Sequence, residues 1–146
     1  MMEPLPELLR MIHLAATLFM TGVIWFVQAV HYPLFSAVGR SEFPSYARRH
    51  AALTTWLVAP AMLVELASAL LLFWIRPADI STWELSIGLS LLAVIWISTT
   101  LVQVPCHNVL QKGFDVTVHR KLVRTNWVRT VAWSLRGLLG FWIAYG

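Results

Sequence analysis

Apolar residues fall in four long runs along this chain, and the polar residues inside each run recur at helical intervals. The runs extend from about Leu8 to Val30, His50 to Ile75, Trp83 to Val104 and Asn126 to Tyr145. Each approaches or exceeds the roughly 20 residues that a helix needs to cross a bilayer core. The pattern predicts an all-α polytopic membrane protein, a single domain forming a four-transmembrane-helix bundle. Its spans are expected at about 8–30, 50–75, 83–104 and 126–145.

Within the runs, His13, Thr17, Thr21, Gln28 and His31 share one face of the first span, because residues three, four and seven apart align on a helix. His50, Thr54, Glu65 and Ser68 do the same in the second span, and Trp96, Thr100, Gln103 and His107 in the third. Asn126, Arg129, Trp133 and Arg136 follow in the fourth. One polar stripe per span is the pattern of helices that hide their polar groups from lipid by facing one another.

Prolines punctuate the pattern. Pro33 disfavours helical geometry at Tyr32, which predicts a break at the end of the first span. Pro60 lies inside the second and predicts a kink, and Pro105 closes the third. The stretch Val116 to Arg124 has the character of a short interfacial helix. Trp25, Trp56, Trp74, Trp83, Trp127 and Trp142 cluster near the expected span ends, as interfacial aromatic belts do. Gly137 and Gly140 are positioned to let another helix approach closely.

Composition strengthens the membrane reading: 58% of residues are hydrophobic and only 12% charged, against about a quarter charged in ordinary soluble domains. The start of the chain, Met-Met-Glu-Pro-Leu-Pro, lacks the basic residues of a signal peptide, so the first span is expected to be retained. One cysteine, Cys106, excludes an internal disulfide. Basic residues concentrate in two connections, with Arg40, Arg48 and Arg49 in 31–49 and Lys112, Arg120, Lys121 and Arg124 in 105–125. The positive-inside rule then makes those connections cytoplasmic and puts both termini on the opposite side. This scattered charge belongs to membrane topology, so the expected partners are the lipid bilayer and a hydrophobic small molecule, with no nucleic acid. A homo-oligomer or a larger membrane complex is compatible with the same pattern.

The candidate chemistry lies at two depths. Glu65 and Arg136 fall near mid-span and are the only opposite charges there. Burying either alone would cost several kcal/mol, so they are expected to pair. Nearer the cytoplasmic side, His31, His50, Gln103, His107, Asn108, Asn126 and Arg129 should meet, since the first and third spans end where the second and fourth begin. His31, His50 or His107 is the candidate base, with His107 the one to mutate first and Asn108, Asn126 and Arg129 as groups to hold a developing oxyanion. Glu65 and Arg136 would fix the floor of the cavity. His31, His50 and His107 are also a candidate ligand set for a transition metal, although no local chelating pair links them. The cofactor is therefore unknown: either none, or a histidine-bound transition metal. His13 and His119 read as structural and interfacial.

Pro105-Cys106-His107-Asn108 after the third span and Asn126-Trp127-x-Arg129-Thr130 opening the fourth resemble the anthrone-oxygenase-like family of small membrane proteins. His31-Tyr32-Pro33-Leu34-Phe35 and Phe43-x-x-Tyr46 are similar to that family's first loop. The resemblance implies an oxidoreductase of the oxygenase type, acting on an electron-rich aromatic or quinone-like substrate through a carbanion that reacts with oxygen directly. Two other classes remain open on the residues alone. One is a non-enzymatic accessory or scaffold subunit; the other is a proton or ion carrier using Glu65 and Arg136.

Overall fold

A computed structural model describes residues 4–145 of the chain, and these are helical apart from short connections. Helix α1 (Pro4–Phe26) continues through a π-helical turn (Val27–His31) into α2 (Tyr32–Leu34) and a last 3₁₀ turn to Ala37. After a short connection, α3 (Phe43–Ile75) returns. Helix α4 (Thr82–Ser98) again passes through a π turn (Thr99–Gln103) into α5 (Val104–Leu110). The final helix, α6, runs from Val116 to Tyr145.

Among the described residues three helical segments, Leu5–Ala37, Phe43–Ile75 and Thr82–Leu110, are long and apolar enough to cross a membrane. Helix α6 differs because it carries Arg129 and Arg136 within its apolar stretch. It packs along both α1 and α4, while α3 packs mainly on α1 and less on α4. Gly140 lets α1 and α6 approach: a Cβ there would lie 3.1 Å from the side chain of Leu14. Trp56, Trp74, Trp83 and Trp142 project outward, as side chains in contact with lipid or headgroups would.

The ends of the elements follow local chemistry. Arg76 takes a left-handed conformation (φ 48°) and stops α3 just before Pro77. Ser81 begins α4 with a capping box: its hydroxyl accepts from the Glu84 N–H, and the Glu84 carboxylate accepts from the Ser81 N–H, which satisfies two otherwise unpaired backbone donors. Arg10 of α1 is bound to Asp79 in the α3–α4 connection. Facing this end of the molecule, the Trp142 indole donates to Glu84.

Four sequence expectations change here. The chain does not break at Tyr32 but stays helical past Pro33, and the third segment likewise continues past Pro105 to Leu110. A proline ring clashes with the carbonyl four residues back and offers no N–H. In both places the helix widens by one residue just upstream, so that Tyr32 N–H bonds Val27 O and Val104 N–H bonds Thr99 O. Val116 to Arg124 is not a separate interfacial helix; it is the start of α6. Helix α3 begins seven residues before the expected span, at Phe43, and holds Pro60 within its length.

Candidate functional site

The polar stripes meet at two levels. At the deeper one, Glu65 is fully buried and Arg136 is 3% exposed, and Arg136 Nε donates to Glu65 Oε1 at 2.9 Å. Thr17 of α1 donates to the same oxygen at 2.9 Å, and the Trp133 indole donates to Oε2 at 3.0 Å. Arg136 also donates to the Gly88 carbonyl of α4. His13 joins through Arg136 Nη2 (3.4 Å) and Ser68 (2.9 Å). One carboxylate thus ties together α1, α3 and α6, and its arginine reaches α4. A buried ion pair is tolerated when further hydrogen bonds satisfy it, and here each guanidinium nitrogen and each carboxylate oxygen has a partner.

At the second level the two π turns and the prolines after them bring several groups together. The Tyr32 hydroxyl shares a hydrogen bond with His107 Nε2 at 2.9 Å and accepts one from Arg129 Nη2 at 3.4 Å. His31 Nε2 and His50 Nδ1 are 2.8 Å apart, and Thr54 reaches the same His50 nitrogen at 3.1 Å. The His50 and His107 rings lie 5.5 Å apart, centroid to centroid. His119 is not merely interfacial: it bonds the Tyr32 carbonyl at 2.7 Å and stacks on Phe35.

Arg129 is the unusual member. It is 7% exposed, and its partners are neutral: Asn126 Oδ1 (3.0 Å from Nε), Thr99 (3.2 Å) and Tyr32. Among the described residues no carboxylate pairs with it; the two ion pairs are Arg10–Asp79 and Arg136–Glu65. A guanidinium removed from water without a counter-ion carries a desolvation cost of several kcal/mol. An anion arriving beside it would recover much of that cost.

Next to Arg129 lies a cavity of about 440 Å³, within the range of small-molecule sites. Tyr32, His50, His107 and Arg129 form its polar end, with Asn108 and Gln111 near the rim. Met20, Ile24, Val58, Met62, Trp96 and Trp133 make most of the remaining wall apolar. The Trp96 indole N–H has no partner among the described residues.

Of the residues expected to meet near the cytoplasmic side, His50, Gln103, His107, Asn108 and Arg129 line this cavity. Asn126 does not. Its amide is fully buried, donating to Gln28 (2.8 Å) and accepting from Arg129, so it orients the arginine. Glu65 and Arg136 do not line this cavity themselves; Trp133 does, and its indole donates to Glu65. His31, His50 and His107 do come together but are not arranged as a ligand set. His31 and His50 turn ring nitrogens toward each other, His107 turns Nε2 to Tyr32, and no group of three His, Cys, Asp or Glu among the described residues is placed to hold a metal.

Sequence reasoning missed Tyr32 and Thr99 as site residues. The signal was present as two prolines at the ends of apolar spans, each able to force a π turn, a feature frequent at functional sites. Comparison with family models, with curated proteins and with solved structures gives no match to this chain.

Proposed function

We propose that the protein is a membrane-embedded enzyme of the oxygenase type, a four-span bundle that binds a hydrophobic ring compound and stabilises its anion. The observation that carries this reading is Arg129, a buried guanidinium with neutral partners at the polar end of a largely apolar cavity. An apolar cavity suits an aromatic body, and the arginine suits an oxygen that becomes negative during reaction. His107 would remove a proton from the substrate, and Tyr32 would hold both His107 and Arg129 in register. In the oxygenation implied by the family resemblance, the substrate anion and dioxygen combine. Loss of one water then converts a CH₂ carbon into a carbonyl. The substrate supplies the electrons, so no separate reductant is needed. The site would lie in the half of the bundle nearest the two basic connections, which is cytoplasmic by the positive-inside rule.

The test is dioxygen uptake and quinone absorbance with purified protein in nanodiscs and an anthrone as substrate. The wild type should turn over, and His107→Gln should lose about 10²–10⁴-fold in rate, the usual worth of a positioned base. Equal rates in the two proteins would remove His107 from the mechanism. Binding of the anthrone anion without oxygen uptake would reassign the protein as a non-enzymatic carrier or accessory subunit.

A further inference from the structure

A second concavity, of about 530 Å³, lies on the other side of His50, between α1 and α3. It is graded along its length. On α3 one row facing it is Tyr46, Arg49, Leu53 and Leu57, spaced three or four apart and therefore on one helix face, with His50, Thr54 and Val58 as a second row beside it. The polar pair stands at the end of α3 next to the basic connection, and the leucines follow one and two turns deeper. Phe26 and His31 repeat this order from the opposite wall, with the histidine at the same end as Arg49. Arg49 is exposed and makes no ion pair among the described residues. The groove thus has a cationic end at the depth of lipid headgroups and an apolar floor running into the bilayer.

We infer that this groove is a binding site for one anionic phospholipid, with its phosphate at Arg49 and an acyl chain along Leu53, Leu57 and Phe26. Charge complementarity and the polar-to-apolar order select this occupant. A neutral hydrocarbon would leave Arg49 unused, and a soluble anion would leave the leucines uncovered. Phosphate held by an interfacial arginine, with the chain following the protein surface, is the ordinary form of headgroup recognition. The groove adjoins the proposed catalytic cavity, with Val23, Val27, His50, Thr54 and Val58 as a common wall, while Phe26, Arg49, Leu53 and Leu57 face the groove and not the cavity.

The experiment is native mass spectrometry of the full chain released from vesicles of mixed phosphatidylglycerol and phosphatidylcholine. The wild type should retain phosphatidylglycerol in several-fold preference. Arg49→Gln should bring that preference close to one, while Arg40→Gln, an exposed arginine outside the groove, should leave it unchanged. Leu57→Trp, at a position already half exposed, fills the groove and should lower retention of the anionic lipid several-fold. An unchanged preference in Arg49→Gln overturns the site, as does an equal loss in Arg40→Gln, which would mean general attraction to basic connections. Full retention by Leu57→Trp also overturns it, because the lipid would then lie elsewhere.

Discussion

Replacing Glu65 by glutamine changes one atom and removes one charge, and the surroundings of Glu65 make the consequence specific. Oε1 accepts from Arg136 Nε and Thr17, and Oε2 accepts from the Trp133 indole. A glutamine must turn its oxygen toward Arg136, because guanidinium nitrogens cannot accept. Its NH₂ then faces the indole N–H, donor against donor. Arg136, only 3% exposed, is left with a charge that nothing balances. Breaking one side of a buried pair typically costs about 3–5 kcal/mol, and we expect Glu65→Gln to fall there. The double variant Glu65→Met with Arg136→Met removes both charges and should be less destabilised than either single change. It still leaves Thr17 and Trp133 without their acceptor, at roughly 0.6 kcal/mol for each such bond within a membrane. Unfolding in mixed micelles titrated with SDS, followed by tryptophan emission, measures all of these. The emission should shift in Glu65→Gln as Trp133 loses its anchor. A loss below about 1 kcal/mol, the scale of an exposed pair, would refute the view that this node holds the bundle together.

Three further outcomes follow from other parts of the molecule. Tyr32→Phe removes the hydroxyl between His107 and Arg129; a hydrogen bond to a charged group contributes about 1.5 kcal/mol. Binding of a naphtholate anion, measured by fluorescence quenching, should weaken about tenfold, while an uncharged naphthalene binds as before. Pro105→Ala removes the ring that forces the second π turn. If the extra residue is expelled, everything after it rotates by roughly 100°, and His107 leaves Tyr32. Naphtholate binding should then be lost although far-UV circular dichroism is unchanged. At the opposite end, the hydrogen bond from Arg10 holds the Asp79 carboxyl below its ordinary range. A lowered folded-state value means the contribution is present above the ordinary carboxylate range and fades as pH falls through the folded value. The stability difference between wild type and Arg10→Gln should therefore disappear in acid, and a difference that persists there would contradict it.

How much of this was legible beforehand depends on the residue. The pairing of Glu65 with Arg136 follows from depth alone: two opposite charges at one level of an apolar medium have no other means of compensation. The gathering of His31, His50 and His107 follows from the alternating direction of the spans. The role of Asn126 does not, because an amide beside an arginine serves a ligand or orients the arginine according to where its second partner lies. That partner, Gln28, is 98 residues away. Tyr32 was hidden for a different reason. Proline at position 33 argues for a helix end, and a regular helix would have placed the tyrosine on another face. The π turn keeps the helix going and adds one residue of rotation, which turns the hydroxyl toward His107 and Arg129.

The sequence by itself determined the apolar runs, the polar stripe within each and the depth of every charge, because these depend only on helical period and rise. Tertiary structure alone decided how the hydrogen bonds are distributed among the stripes. That distribution gives Arg136, besides its carboxylate, the Gly88 carbonyl and His13, and gives Arg129, seven residues away on the same helix, the neutral partners Asn126, Thr99 and Tyr32 beside a cavity. The two arginines are alike in type and burial, and it is the depth of Glu65, already legible in the sequence, that assigns the carboxylate to Arg136. What separates them is which neighbouring helix brings a carboxylate to their level, and α3 carries its glutamate only at the depth of Arg136.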